Sequence, residues 1–146
     1  MARHISREIV IDRPPEVVWK ILTDLDAYGS WNPFLVEAEG ATELGEKLAI
    51  TAKAKEKGFT LHPRVTESVP GRTLAWVGKL GGMPGLFTGE HRHELEETPG
   101  GTRYTQSENF KGVLVPFTGK VIADTEAAFE RMNQALKARA EGEGAG

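Results

Sequence analysis

The sequence predicts an α+β domain in which a curved antiparallel sheet of about seven strands wraps around a long C-terminal helix. Two observations lead to this prediction. Short segments rich in apolar and β-branched residues fill the middle of the chain, and the short turns between them favour antiparallel pairing. One long stretch near the C-terminus then repeats apolar residues at helical spacing. A twisted sheet of this size curls around such a helix and leaves a gap between the two.

The first elements are predicted to be one strand and two short helices. Residues 5–12 alternate and are rich in Ile and Val, which indicates a strand. Pro14 and Pro15 suit the first turn of a helix, because the N–H groups of that turn have no partner within the helix. The helix continues over residues 16–23, and residues 24–32 indicate a second, irregular helical turn.

Six further strands are predicted, each bounded by turn residues. The strongest turn signals are Pro70-Gly71 and the run Thr98-Pro99-Gly100-Gly101. The predicted strands cover residues 35–41, 47–55, 59–69, 72–80, 87–97 and 102–111.

The C-terminal helix is predicted from an apolar stripe that recurs every three to four residues. The members of the stripe are Phe117, Val121, Ile122, Thr125, Ala128, Phe129, Met132 and Leu136. At ~1.5 Å per residue this helix would be ~35 Å long, enough to cross the domain. Glycines predict a frayed tail over residues 142–146, and residues 1–146 are interpreted as a single domain.

Composition excludes several classes of protein. The hydrophobic fraction of 39% and the charged fraction of 27% are ordinary for a folded globular domain. The net charge is −3 and basic residues do not cluster, so no nucleic-acid partner is expected. We expect a cytoplasmic protein with no membrane partner, because no apolar run approaches the ~18 residues of a membrane span and no secretion signal is present. The absence of cysteine excludes disulfides, thiolate catalysis and zinc–thiolate sites.

Several segments carry a likeness to a known group of proteins. They are Pro15-Glu16-Val17-Val18-Trp19, Tyr28 to Phe34, Phe59 to Val65, Pro70 to Trp76, Gly89 to Leu95 and Gly101 to Tyr104. Together with the element order, they make the chain resemble the START-like (SRPBCC) superfamily, and within it the bacterial polyketide cyclase/dehydrase and lipid-transport group. The resemblance implies the helix-grip fold, with a cavity between helix and sheet that opens near the Trp31 turn and residues 81–85. Because the group includes binders, transporters and cyclases, the fold does not decide the function.

Strand parity predicts which side chains line this cavity, because alternate residues of a strand share a face. The predicted ligand-binding residues are Trp31, Phe59, Leu61, Trp76, Phe87, His91, His93, Tyr104, Gln106, Glu108, Thr125, Phe129 and Met132. The inward orientation of Glu108 depends on regular strands, since a single β-bulge would reverse it.

Three of these side chains are candidates for acid–base chemistry. His91 and His93 lie two residues apart on one strand, so their rings share a face, and Glu108 lies on the neighbouring strand. Burial would raise the pKa of the carboxyl group, and a Glu–His pair in an apolar cleft can act as general acid and base. The alternative is a structural charge, or one that only orients the polar end of a ligand.

The same histidines raise the question of a metal site. The spacing from Gly85 through His91 and His93 to Glu97 resembles half of a cupin metal motif, but no histidine follows His93. Two secure ligands make an incomplete site. We therefore predict neither a metal nor another cofactor.

Three functions remain open at this point. The first is binding of a small, largely hydrophobic molecule (lipid-, polyketide- or aromatic-like) in the cavity, by a monomer or a homodimer. The second is a polyketide cyclase/dehydrase-like enzyme that uses Glu108 with His91 or His93. The third is a co-chaperone-like interaction module, which requires a large exposed apolar patch.

Overall fold

The fold follows the predicted order of elements, with one strand more than expected. The computed structural model describes residues 2–54, 58–80, 83 and 85–143. The strands are β1 (Ala2–Ile11), β2 (Leu35–Glu39), β3 (Ala49–Lys53), β4 (Gly58–Leu61), β5 (Arg64–Val69), β6 (Thr73–Lys79), β7 (Thr88–Thr98) and β8 (Gly101–Lys111). The helices are α1 (Pro15–Thr23), a 3-10 helix at Leu25–Ser30, a second 3-10 helix at Val115–Phe117, and α2 (Gly119–Glu143).

The strands form two hydrogen-bonded sheets that continue into one another. Five strands pair antiparallel in the order β1-β8-β7-β6-β5, and three pair in the order β2-β3-β4. The backbone joins the sheets, because the N–H of Leu48 donates to the carbonyl of Pro63 and the N–H of Val65 donates to the carbonyl of Glu46, both at 2.8 Å. The segment before β3 therefore pairs with the start of β5.

The strand predicted over residues 59–69 is two strands, which is why eight strands are present among the described residues rather than about seven. His62 and Pro63 separate β4 from β5. Proline has no N–H to donate to a ladder and has a fixed φ, so it interrupts regular strand pairing. β4 and β5 consequently belong to different sheets.

The sheet grips α2 from both sides. Near its C-terminal end, Lys137 Nζ donates to the carbonyl of Val10 on β1 (2.8 Å). On the other side, Arg131 Nη2 donates to the carbonyl of Ala54, just after β3 (2.6 Å). The buried stripe of α2 consists of Ile122, Thr125, Ala128, Phe129, Met132, Asn133, Leu136 and Ala140.

The two ends of α2 differ from the prediction. Phe117 and Val121 were expected in the buried stripe but are 83% and 48% exposed. Phe117 belongs to the preceding 3-10 helix, and α2 begins only at Gly119, so the stripe starts one turn later. At the other end Gly142, predicted to lie in a frayed tail, is helical, because α2 continues past the buried Ala140. Residues 144–146 of the predicted tail lie outside the described residues, as does Lys55 of the predicted strand 47–55.

No helix among the described residues is both long enough and apolar enough to cross a membrane.

Candidate functional site

β7 and β8 direct a row of polar side chains into the interior. The ladder between these strands has no register shift, and it places His91 opposite Glu108 and His93 opposite Gln106. The two histidines are 4% and 0% exposed, Gln106 is 0% exposed, and the side chain of Glu108 is 15% exposed. Buried polar groups cost free energy unless they are hydrogen-bonded. The partners of these four side chains therefore decide what the row can do.

A directed chain of hydrogen bonds fixes the ring of His91. Asn133 on α2 donates Nδ2 to the carbonyl of Arg7 (3.2 Å), so its Oδ1 accepts from Nε2 of Gln106 (2.9 Å). The Oε1 of Gln106 then faces Nε2 of His91 at 2.7 Å, and only a protonated Nε2 can donate to it. His91 therefore carries its proton on Nε2 and presents an unprotonated Nδ1.

This Nδ1 faces the carboxyl group of Glu108. The distance from Nδ1 to Oε1 is 3.8 Å, too long for a hydrogen bond. Burial raises the pKa of Glu108 to about 8. Burial is also the main cause that lowers the pKa of His91 to about 4, against the opposing effect of its hydrogen bond to Gln106. At neutral pH an uncharged carboxylic acid thus faces an uncharged imidazole nitrogen.

His93 lies deeper and has one nitrogen without a partner. Its Nδ1 is 2.5 Å from the hydroxyl of Tyr104, while its Nε2 is buried and has no hydrogen-bond partner among the described residues. Burial lowers the pKa of His93 well below its usual value, and His91 contributes further, so the ring is neutral. If the Tyr104 hydroxyl donates to Nδ1, only the N–H at Nε2 lacks a partner. If Nδ1 carried the proton instead, both the hydroxyl proton of Tyr104 and the unprotonated Nε2 would lack one. His93 therefore presents an N–H donor to the interior.

Aromatic rings enclose the two imidazoles. The ring centroid of Trp76 is 5.2 Å from that of His91 and 4.9 Å from that of His93. Phe129 stacks on His91 at 5.0 Å, and Phe34 lies 6.3 Å from it. These apolar surfaces remove water from the histidines and so disfavour their charged forms.

Nearly the whole chain matches one protein family. Residues 2–141 fit the family described as polyketide cyclase / dehydrase and lipid transport. The chain belongs to this family.

This match confirms the predicted resemblance to the polyketide cyclase/dehydrase and lipid-transport group. Solved structures share the fold, which confirms the predicted helix-grip architecture. A protein from Mesorhizobium loti is 22% identical, with a TM-score of 0.75 over 93% of this chain and 95% of that one. The Zhui aromatase/cyclase from a Streptomyces species is 16% identical, with a TM-score of 0.78 over 97% and 94%. A START superfamily protein from Mycobacterium smegmatis is 16% identical, with a TM-score of 0.74 over 95% and 97%. A search of curated protein sequences gives no match.

One predicted wall residue of this polyketide cyclase / dehydrase family member is not enclosed. Phe59 lies opposite the buried Ala52, so it takes the inner face of the sheet, but its side chain is 51% exposed. Its strand, β4, ends the three-stranded sheet, and no described strand beyond it covers the ring. Leu61 on the same strand is half-buried and lines a crease between β4, β5 and β6.

The remaining predicted residues lie around the polar row or at its rim. Trp31 is half-buried with its ring edge against Tyr28 (5.4 Å), and Phe87 is half-buried and stacks on Phe110 (5.5 Å). Thr125 uses its hydroxyl proton within α2, so it offers only an acceptor. Residues 81, 82 and 84 of the predicted entrance lie outside the described residues. The ligand-binding role of all these side chains stays a prediction.

Sequence reasoning missed two residues of the site, Asn133 and Phe34. Asn133 follows Met132 directly and lies four positions after Phe129, so it shares the apolar face of α2. A fully buried amide on such a face was the signal, because it requires partners. Phe34 belongs to a segment that carried the family likeness but was not assigned to the cavity wall.

The histidines have no third metal ligand among the residues that the structure describes. No group of three or more His, Asp or Glu side chains there is arranged to hold a metal ion. Glu97, the last residue of the half motif, is exposed near the β7–β8 turn.

The position of the Glu108 carboxyl depends on a glycine. A Cβ built on Gly89 would overlap Oε2 of Glu108 and lie 3.3 Å from its Cδ. We expect Gly89→Ala to displace the carboxyl toward solvent and to lower the pKa of Glu108 toward its ordinary value of 4.5. Titration of the Glu108 side-chain carbon by NMR measures this shift.

Gly78 provides the matched control for this substitution. It pairs with Gly89 across β6 and β7, but its added Cβ would make only an ordinary contact, 3.7 Å from Cβ of Pro63. Gly78→Ala should leave the titration of Glu108 unchanged. An unchanged titration in Gly89→Ala would show that the glycine does not position the carboxyl.

Proposed function

We propose that the protein binds a small, largely hydrophobic molecule between the sheet and α2, with the polar end of the ligand between Glu108 and His91. The observation that carries the proposal is the 3.8 Å separation of the Glu108 carboxyl and Nδ1 of His91, which face each other without a hydrogen bond between them. Beside them, the buried Nε2 of His93 has no hydrogen-bond partner among the described residues, and such a group costs about 1–3 kcal/mol in a core that serves stability alone. Membership of the polyketide cyclase / dehydrase and lipid transport family supports hydrophobic ligand binding or a cyclase role in general.

The interior groups define the chemistry of the ligand's polar end. At neutral pH Glu108 offers an O–H donor, Nδ1 of His91 offers an acceptor, and Nε2 of His93 offers an N–H donor. None of the described buried side chains is a lysine or an arginine. A carboxylate would therefore meet no compensating charge. A neutral hydroxyl or carbonyl on a lipid-, polyketide- or aromatic-like molecule fits these groups.

A matched pair of probes tests this binding mode. 2-Naphthylmethanol and 2-naphthoate differ in the charge of the polar group, and calorimetry compares their affinities. We expect the alcohol to bind more tightly, and its affinity to fall as the pH rises through about 8, where Glu108 loses its proton. Glu108→Gln keeps a neutral donor and should bind the alcohol without this pH dependence.

Two outcomes would contradict the proposal. One is equal affinity for alcohol and carboxylate in both proteins. The other is a clean apo mass in native mass spectrometry of the purified protein, together with no binding of either probe. A co-purified apolar molecule with a hydroxyl or carbonyl group would support the proposal and identify the ligand.

A second candidate function is acid–base catalysis of the cyclase/dehydrase type. It is favoured by the pairing of a protonated carboxyl on Glu108 with an unprotonated nitrogen on His91, which are the two states that a general acid and a general base require. At 3.8 Å they would act through the substrate rather than on each other. Glu108→Gln separates this function from binding alone. It would lower the turnover rate of a polyketide-like substrate by about 100-fold or more, while the affinity for the ligand persists.

The interaction-module hypothesis stays a prediction. The exposed apolar side chains nearest the start of α2 are Val113, Phe117 and Val121, and no comparison assigns them a partner.

A further inference from the structure

A crease of about 660 Å³ lies on the sheet where β4 and β5 meet. It is lined by Lys47, Thr60, Leu61, His62, Arg64, Thr66, Val77 and Lys79. The crease lies where His62 and Pro63 separate β4 of the three-stranded sheet from β5 of the five-stranded sheet. It is on the outer side of the sheet, because Arg64 pairs with Val77 one position before the buried pair of Val65 and Trp76.

The lining of this crease is basic. Lys47 and Arg64 lie directly opposite each other in a β-bridge, and Lys79 lies two residues after Val77, the partner of Arg64. Like charges directly opposite each other destabilise a sheet. None of the ion pairs between described residues involves these three cations. The arrangement therefore leaves positive charge uncompensated within one concave surface.

Backbone geometry orients the groups of the crease. Nη1 of Arg64 donates to the carbonyl of Gly45 at 2.6 Å, which holds the guanidinium in place. A β-bulge between Val65 and Glu67 leaves Thr66 without a partner on β6, and bulges redirect a side chain in this way. Thr66 is exposed and adds its hydroxyl to the crease.

Several neighbouring carboxylates line a second hollow or lie close to Arg92. A neighbouring hollow of about 380 Å³ shares only Thr60 with the crease. The acidic residues of that hollow are Asp26, Glu37 and Glu39. On the next strand Glu90 lies opposite Val77, but its carboxylate is 3.9 Å from Nη1 of Arg92. The positive charge of the crease is thus local, in a chain of net charge −3.

We propose that the crease binds the phosphate group of a small organic molecule, whose apolar part lies on Val77. Two lysines and an arginine supply charge and hydrogen-bond donors, and two threonine hydroxyls add donors for the remaining oxygens. The volume is within the roughly 300–1,000 Å³ of small-molecule sites. This site is separate from the interior polar row and does not depend on the function proposed above.

Calorimetry with inorganic phosphate and phenyl phosphate, at constant ionic strength, tests the proposal. We expect phenyl phosphate to bind more tightly, because its ring also covers Val77. Lys79→Gln and Arg64→Gln should each weaken binding by about tenfold or more, the effect of losing one charge-assisted hydrogen bond. Lys120→Gln removes an exposed lysine on α2 and should leave binding unchanged.

The variants also distinguish failure of this site from loss of the fold. Arg64→Gln removes the hydrogen bond to Gly45, so Lys79→Gln, whose side chain forms no described ion pair, is the decisive variant. Binding of 2-naphthylmethanol should be unchanged in Lys79→Gln. The proposal is overturned if neither phosphate binds, or if Lys120→Gln weakens binding as much as Lys79→Gln. Tighter binding of inorganic phosphate than of phenyl phosphate would contradict the organic part of the proposal.

Discussion

Replacing Glu108 with glutamine is expected to raise the free energy of unfolding by about 3–5 kcal/mol above pH 8. Burial raises the pKa of this carboxyl from 4.5 to about 8 in the folded protein. The folded state therefore binds the proton more tightly than the unfolded state, and each unit of difference corresponds to about 1.4 kcal/mol. The contribution of this proton binding to the free energy of unfolding is fully present below pH 4.5 and is lost progressively as the pH rises to about 8. Glutamine has no proton to lose, so its variant avoids this loss.

Urea denaturation between pH 4 and pH 9 measures this effect. The difference between the wild-type protein and Glu108→Gln should be small below pH 4.5 and should grow up to pH 8. Glu97→Gln removes an exposed carboxylate from the same hairpin and controls for the change in net charge. Parallel pH profiles for the wild-type protein and Glu108→Gln would show that Glu108 is ionised at neutral pH, which would also remove the basis for a neutral donor in the ligand site.

Asn133→Leu is expected to lower the free energy of unfolding by about 3 kcal/mol and to release the ring of His91. The amide of Asn133 satisfies both the carbonyl of Arg7 and Nε2 of Gln106. Leucine satisfies neither. It leaves the buried Nε2 of Gln106 unpaired, which costs about 1–3 kcal/mol, and the part-buried carbonyl of Arg7 also loses its partner. Gln106 then has no partner that fixes its orientation, so both tautomers of His91 become populated.

Two measurements separate the consequences of Asn133→Leu. Denaturation gives the stability, and the ¹⁵N shifts of the His91 ring report which nitrogen carries the proton. Gln134→Leu is the matched control, because its amide bonds only to Glu130 on the exposed side of α2. We expect that control to change stability by less than about 0.5 kcal/mol, as surface substitutions usually do. If His91 kept a single tautomer in Asn133→Leu, the hydrogen-bond chain would not be what selects it.

The sequence alone was enough to predict the fold class, the element order and the side of β8 on which Glu108 lies. These features depend on local periodicity, which repeats every two residues in a strand and about every 3.6 in a helix. The prediction for β8 needed only that no bulge intervene, and the β7–β8 ladder has none. The break at Pro63 could also be predicted from local sequence, because a proline inside a strand segment indicates an interruption. It was missed because the apolar alternation on both sides of Pro63 looked continuous.

Only the tertiary structure decided the chemistry of the site. The tautomer of His91 depends on Asn133 and on the carbonyl of Arg7, which are 126 residues apart in the chain. Whether Phe59 is covered depends on which strand ends the sheet, and the 3.8 Å between Glu108 and His91 depends on side-chain conformations in a packed interior. Periodicity determines which face a side chain takes, because that is a property of one strand. Distances, partners and protonation states depend on several elements packed together, and no local pattern contains that information.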